Sequence, residues 1–218
     1  MKPLVLLRPE PGLSHSAKGA RALGLTVIEC PLFEVRPLAW AAPPAGEFDA
    51  LMLTSVNAVR HGGSGLTKYR ELPVLAVGEA TAEAARDAGF QVELVGAGGV
   101  ADLLSNVALE RRLLHLGGAE VQHGGRAMTR AAVYASVVVD DVTLPALNGA
   151  VIAVHSPRAG QRLAELAHDR GGATVAAISA AAGIACGLGW AYSEVAPRPH
   201  DSSLLALAAR LCQVGGRA

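Results

Sequence analysis

From Val74 to Phe90 the chain reads VLAVGEATAEAARDAGF: four apolar residues pass into an alanine-rich run with only Gly78 between them. A short, wholly apolar run bounded by a turn residue suits a strand buried on both faces. The run from Ala80 to Ala88 has helical composition, and Gly89 stops it. Similar junctions follow Asp49–Leu53, Val151–Val154 and Val175–Ile178. Strands that alternate with helices at such short spacing indicate a parallel α/β architecture.

The junctions also repeat. Ser55 aligns with Ser156, 101 positions later, so that ALMLTSVNA (Ala50–Ala58) faces VIAVHSPRA (Val151–Ala159). The same offset sets Val77 on Ile178, Gly78 on Ser179, and Leu103-Leu104 on Leu204-Leu205. One offset joining three separated elements predicts two related α/β halves. The match weakens where Glu79-Ala80-Thr81 faces Ala180-Ala181-Ala182. The glycine-rich GGAEVQHGGRAMTRA, from Gly117 to Ala131, predicts that the second copy of the opening strand–helix–strand lacks most of its helix.

Elsewhere, strands are predicted over Leu4–Leu7, Thr26–Cys30, Val92–Val95 and Leu113–Leu116, and helices over Leu13–Leu23, Ala101–Leu109, Pro157–Ala167, Ala180–Leu188 and Leu204–Leu211. PLFEVRP (Pro31–Pro37) and Val133–Val139 read as extended, and Ala39–Glu47 as a loop. Half of the 218 residues are hydrophobic and few are aromatic, a mixture that suits helices packed on both faces of a parallel sheet.

Composition also excludes function classes. Basic and acidic residues balance at 19 each, and no basic tract gives the footprint of a nucleic-acid binder. The three cysteines, Cys30, Cys186 and Cys212, form no metal or redox motif, so a reduced cytoplasmic protein is expected. MKPLVLLRPEPG lacks the length and cleavage pattern of a signal peptide. VAAISAAAGIACGLGWAY (Val175–Tyr192) comes nearest to a membrane span, but its glycines suit a buried strand and helix. No phosphate-binding loop, dinucleotide fingerprint or nucleophile elbow follows a strand. VGAGGVADLL (Val95–Leu104) has glycines in the wrong number and order. The seven histidines make no metal-binding pair; His155, just after a strand, is placed where it could line a cleft, but a surface position is expected.

What remains is a set of strand-to-helix turns: Thr54-Ser55, Gly78 to Thr81, Ser156-Pro157 and Ser179-Ala180. Helix N-termini carry unpaired N–H groups and the positive end of the helix dipole, and so favour anions. Ligands of open α/β sheets gather at the same, carboxyl ends of the strands. Each serine or threonine alone is best read as an N-cap worth about 1 kcal/mol. The set together suits a polyanion.

Several of these segments resemble the uroporphyrinogen-III synthase family: LLRPEPG (Leu6–Gly12), DALMLTSVNAV (Asp49–Val59), LPVLAVGEATAEAARDAGF (Leu72–Phe90), VYASV (Val133–Val137), VIAVHSPRAG (Val151–Gly160) and AAISAAAG (Ala176–Gly183). The resemblance runs through nearly the whole chain in the family's order. It implies two similar parallel-sheet α/β domains joined by a pair of extended linkers: residues 1–33 with 139–218, an inserted domain at 39–132, and linkers at 32–38 and 133–138. It implies closure of the linear tetrapyrrole hydroxymethylbilane to uroporphyrinogen III in heme biosynthesis, with loss of water and inversion of the last pyrrole ring through a spiro intermediate. Departure of the hydroxyl leaves a reactive azafulvene that cyclises unaided to the wrong isomer, so positioning is the enzyme's main task.

No cofactor and no metal are implied. The implied partner is the polycarboxylate substrate, with no nucleic acid or membrane, in a monomer making transient contact with the preceding pathway enzyme. Tyr134 matches the family's linker tyrosine, which aids hydroxyl departure by donating a hydrogen bond; an ordinary phenol is protonated at neutral pH. Thr81 matches the threonine after the glycine turn, and Ser55 and Ser156 match the serines of the paired turns. Gly78, Asn57 and Ser179 stand in the same turns and complete the substrate-binding set with Arg8 and Arg158, placed to meet carboxylates. The chain departs from the family at Ala180–Ala182, where a hydroxyl residue is frequent, and in LHLGG (Leu114–Gly118), which lacks an arginine before its second glycine. These departures leave a noncatalytic or weakly active relative that binds a tetrapyrrole or other polyanion as the alternative. A nucleotide-binding α/β protein is a third reading, disfavoured by the missing phosphate motif.

Overall fold

A computed structural model describes residues 1–96, 99–120 and 127–213 of the chain, which falls into two compact units. In the first, Met1–Glu34 packs with the chain from Val137 onward; the second is Val35–Ser136.

The first unit opens with β1 (Leu4–Leu6), α1 (Gly12–Ala22) and β2 (Val27–Glu29). It resumes with β9 (Val151–Val154), α6 (Pro157–Leu166), β10 (Thr174–Ala177), α7 (Ala180–Ala185), β11 (Tyr192–Val195) and α8 (Asp201–Gln213). Its five strands lie in the order β11-β10-β9-β1-β2, all parallel. Strand side chains alternate between faces. Leu4, Leu6, Val151 and Ala153 therefore pack against α1 and α8, through Leu13, Ala17, Leu204 and Leu207. Val5, Leu7, Ile152 and Val154 pack against α6 and α7, through Ala159, Leu163, Ala182 and Cys186.

The second unit contains β4 (Ala50–Leu53), α2 (Val56–His61), α3 (Gly63–Leu66), β5 (Val74–Val77), α4 (Glu79–Asp87), β6 (Val92–Gly96), α5 (Val100–Ser105) and β7 (Leu113–Gly118). Strands β3 (Phe33–Pro37) and β8 (Thr129–Val138) complete its sheet, whose order is β3-β8-β7-β4-β5-β6. Strand β8 lies parallel to β7. Against β3 it runs the other way: Leu38 donates to the Val133 carbonyl, while Val139 donates to the Leu32 carbonyl. Leu51, Leu53, Val74 and Ala76 face α2, α3 and α4; Ala50, Met52 and Leu75 face α5 through Leu103.

The repeat is a structural one. The order β2-β1-β9-β10-β11 in the first unit has its counterpart in β8-β7-β4-β5-β6 of the second. Even the registers correspond: Leu4 lies beside Val151, and Leu113 beside Ala50. The segment expected to have lost its helix includes residues 121–126, which lie outside the described residues.

Several elements differ from expectation for local reasons. Helix α5 stops at Ser105 rather than Leu109, because the Ser105 hydroxyl and the Asn106 amide turn back onto the Asp102 carbonyl and offer the backbone another partner. Helix α7 stops at Ala185, ahead of Gly187 at φ 69°. Helix α8 starts three residues earlier than Leu204, with acidic Asp201 in its first turn. Strand β11, YSEV, is an edge strand with only Glu194 partly covered, so it lacks the apolar run that marks its neighbours. Residues 129–134, partly assigned to a linker, belong to the sheet through their ladder with β7.

Strand β1 is central, and Leu6 on it is wholly buried. Leu6→Ala should destabilise the protein by about 2–5 kcal/mol, as buried leucine truncations do. Denaturant unfolding measures this; a change within experimental error would contradict the packing described.

Candidate functional site

In the second unit, polar residues follow the carboxyl ends of β4 and β5 and stand within the neighbouring strands β7 and β8. Ser55 lies just beyond β4 in extended conformation and caps α2, its hydroxyl accepting from the Asn57 N–H at 3.1 Å. Thr54 beside it shares a 3.1 Å hydrogen bond with Nε2 of His115, on β7. His115 is almost wholly buried, and that burial, helped by the Arg130 charge, pushes its pKa down to about 4. Its imidazole is therefore neutral at pH 7.

Gly78 joins β5 to α4 at φ 83°, a conformation that only glycine adopts without strain, and provides no side-chain cap. Thr81 lies within the first turn of α4 and is buried. It is not the cap of this helix; Gly78 occupies that position. Tyr134 on β8 is half-buried, with its ring 6.2 Å from the His61 ring of α2.

The first unit repeats the arrangement at the ends of β1, β9 and β10. Ser156 and Ser179 cap α6 and α7, accepting from the N–H groups of Ala159 and Ala182. Pro157 occupies the first turn of α6, where it has no hydrogen bond to lose. Arg158 extends over the Phe33 ring, 4.5 Å from its centroid. Arg8, just after β1, donates to the Ser16 hydroxyl at 3.0 Å and to Asp201 at 3.1 Å. Ser16 and His155 also reach Asp201, at 2.7 and 2.8 Å. Burial pushes the Asp201 carboxyl up, but hydrogen bonds from His155 and Ser16, and then the Arg8 charge, outweigh it and hold the group at about 2.

Eight of the nine residues singled out from sequence thus stand just after the carboxyl ends of strands, and Tyr134, midway along β8, lies opposite Gly118 at the carboxyl end of β7. Ser55, Asn57, Gly78, Thr81 and Tyr134 share the second unit; Arg8, Ser156, Arg158 and Ser179 share the first. His155 is not a surface histidine: its side chain is 7% exposed and bonded to Asp201. Sequence reasoning also missed His61, His115, Ser16 and Asp201. His115 alone left a local signal, a lone histidine within the apolar LLHLGG of β7. Among the described residues no group of His, Cys, Asp and Glu is placed to hold a metal ion, and no helix is long and apolar enough to cross a membrane.

A family model described as uroporphyrinogen-III synthase HemD matches residues 14–206. The chain belongs to that family, whose members are cyclising lyases of heme biosynthesis. A solved structure with the same fold is uroporphyrinogen-III synthetase from Helicobacter pylori, at 18% identity and TM-score 0.69, over 97% of this chain and 100% of that one. Uroporphyrinogen III synthase from Thermus thermophilus aligns at 18% identity and TM-score 0.41, over 97% of this chain and 98% of its own. Among curated proteins none matches the chain.

The depressed His115 pKa has a measurable consequence. The unfolded chain binds a proton at this position near pH 6.5, whereas the folded protein resists until about pH 4. The contribution of the neutral imidazole is fully present above pH 6.5 and is lost as pH falls toward 4, by about 3 kcal/mol. His115→Gln keeps a hydrogen-bonding side chain but removes the titration. Its unfolding free energy should therefore fall less between pH 6.5 and 4 than that of the parent. Parallel pH profiles would contradict this.

Proposed function

We propose that the chain closes hydroxymethylbilane to uroporphyrinogen III, with Tyr134 as the donor that assists departure of the hydroxyl and the strand-end turns as the holders of carboxylates. The observation that carries this reading is the position of Tyr134. It stands at the same end of its sheet as Ser55, Asn57, Gly78 and Thr81, the end where α/β sheets receive ligands.

The chemistry asks little of the protein beyond placement. The pyrrole nitrogen's lone pair expels the hydroxyl from the hydroxymethyl carbon; the departing oxygen takes a proton from the Tyr134 phenol that hydrogen-bonds to it, and the pyrrole N–H proton returns to the phenolate, so that water and the neutral azafulvene result. The azafulvene formed must then be attacked by the already substituted carbon of the last ring rather than by its free position. A site that fixes the two chain ends favours this route; free solution does not.

First-turn N–H groups at α2, α4, α6 and α7 supply anion-binding donors without a matching count of Lys and Arg. This agrees with a chain of zero formal charge and a polycarboxylate substrate. Gly78 leaves the start of α4 open, since a Cβ there would meet nothing within 4 Å. Ser55, Ser156 and Ser179 shape their turns as caps and offer hydroxyls to the same carboxylates. Thr81 supports the α4 turn from within. Arg158 adds positive charge in the first turn of α6. Arg8 acts while paired with Asp201, so its part is shared between holding that cluster and attracting the substrate.

Freshly made hydroxymethylbilane tests the reading. The protein should yield predominantly the type III isomer; type I product alone, from folded protein, would overturn it. Tyr134→Phe keeps the ring and removes the donor. Type III formation should fall about tenfold or more, the effect of losing about 1.4 kcal/mol of transition-state stabilisation. Product binding should fall less. Near-normal type III production by the folded variant would remove Tyr134 from the mechanism.

A further inference from the structure

Tyr134 stands opposite Gly118 because the ladder between β7 and β8 slips. Leu116 pairs with Ala131 and Gly117 with Ala132, but Gly118 pairs with Tyr134. Val133 is the extra residue, and its side chain is wholly buried in the core. A bulge of this kind bends the strand and re-aims the side chain that follows. A 2.9 Å hydrogen bond from the Ala119 N–H to the Tyr134 carbonyl ties the strands just beyond it.

The re-aimed ring lies on the bare backbone of Gly118. A Cβ built there would stand 2.8 Å from Cε2 of Tyr134, 3.0 Å from Cζ and 3.3 Å from the phenol oxygen. The first of these is closer than real Cβ contacts come. Gly118 is not among the glycines with positive φ, so its backbone conformation is open to any residue. The ring, not the chain path, is what needs a glycine at this position. His61, from the last turn of α2, meets the same ring at a centroid distance of 6.2 Å and a tilt of 45°.

We infer that Gly118 and His61 are positioning residues for ring closure: the bare Cα of one and the imidazole of the other seat the Tyr134 ring and so aim its hydroxyl. This rests on the reading of Tyr134 as the donor. An alanine at 118 forces the ring to rotate or β8 to shift, since the atoms in the way belong to a ring with two torsions and no flexible end. Either movement displaces the phenol oxygen while leaving the chain's other donors in place.

Gly118→Ala, Tyr134→Phe and the double variant separate the possibilities, with kcat and KM for type III formation followed in protein whose melting transition is intact. Gly118→Ala should lower kcat about tenfold with little change in KM. Added to Tyr134→Phe it should cost less than about twofold more, because the hydroxyl it misplaces is already gone. His61→Ala, at a half-exposed helix end, should show a smaller loss with the same dependence on the Tyr134 hydroxyl, and it decides the matter if Gly118→Ala does not fold. A loss of equal size with and without the Tyr134 hydroxyl would overturn the inference, as would a normal kcat in Gly118→Ala or, failing its folding, in His61→Ala. A near-normal Tyr134→Phe protein would overturn the donor reading itself, and the inference with it.

Discussion

The pairing of β1 with β9 is the constraint on which the first unit depends. Leu4, Val5 and Leu6 lie beside Val151, Ile152 and Ala153 on one side and beside Val27, Ile28 and Glu29 on the other. A central strand wholly buried on both faces has no stable existence until both neighbours are present. The opening segment must therefore wait for a partner more than a hundred residues away, and the intervening chain forms a sheet of its own. Within that sheet β7 takes the same central place, between β8 and β4. Non-local pairing of this kind carries loop-closure entropy that only the completed sheet offsets.

The same pairing assembles the polar residues. With β1 and β9 parallel and in register, Arg8 and His155 emerge from adjacent strand ends, and α8 delivers Asp201 to both. Ser16, from α1, closes the cluster. A partly buried carboxylate would be costly alone; three hydrogen-bond donors make it acceptable, and its depressed pKa follows. In the second unit the buried group is a neutral histidine held by Thr54, a different solution at a corresponding strand end. Within each unit the parallel sheet thus sets where the polar residues stand, while side chains from distant elements decide their charge.

This division explains what the sequence disclosed. Val74–Val77 and Val151–Val154 were legible to the residue, because wholly apolar runs ended by Gly78 or followed by Ser156 permit little else. The caps at Ser55, Ser156 and Ser179 followed from the same local chemistry. Strand β11 was not legible, since Tyr192, Ser193 and Val195 are exposed and carry no burial pattern. The partners of Arg8 and His155 were hidden because Asp201 lies far along the chain from both. Gly118 gave no sign of its relation to Tyr134: that contact depends on a one-residue slip between two strands, which no periodicity records.

The proposed function has turns at the carboxyl ends of the strands in each unit, and Tyr134 in the second, contact the ligand. Amide chemical shifts recorded while uroporphyrinogen III is added test it most directly. The account predicts saturable changes at residues 55–58, 78–82, 156–160 and 179–183, and around Gly118 and Tyr134. Changes confined to the opposite strand ends, where Phe48, Arg112, Leu113 and Thr129 line a cavity, would contradict it.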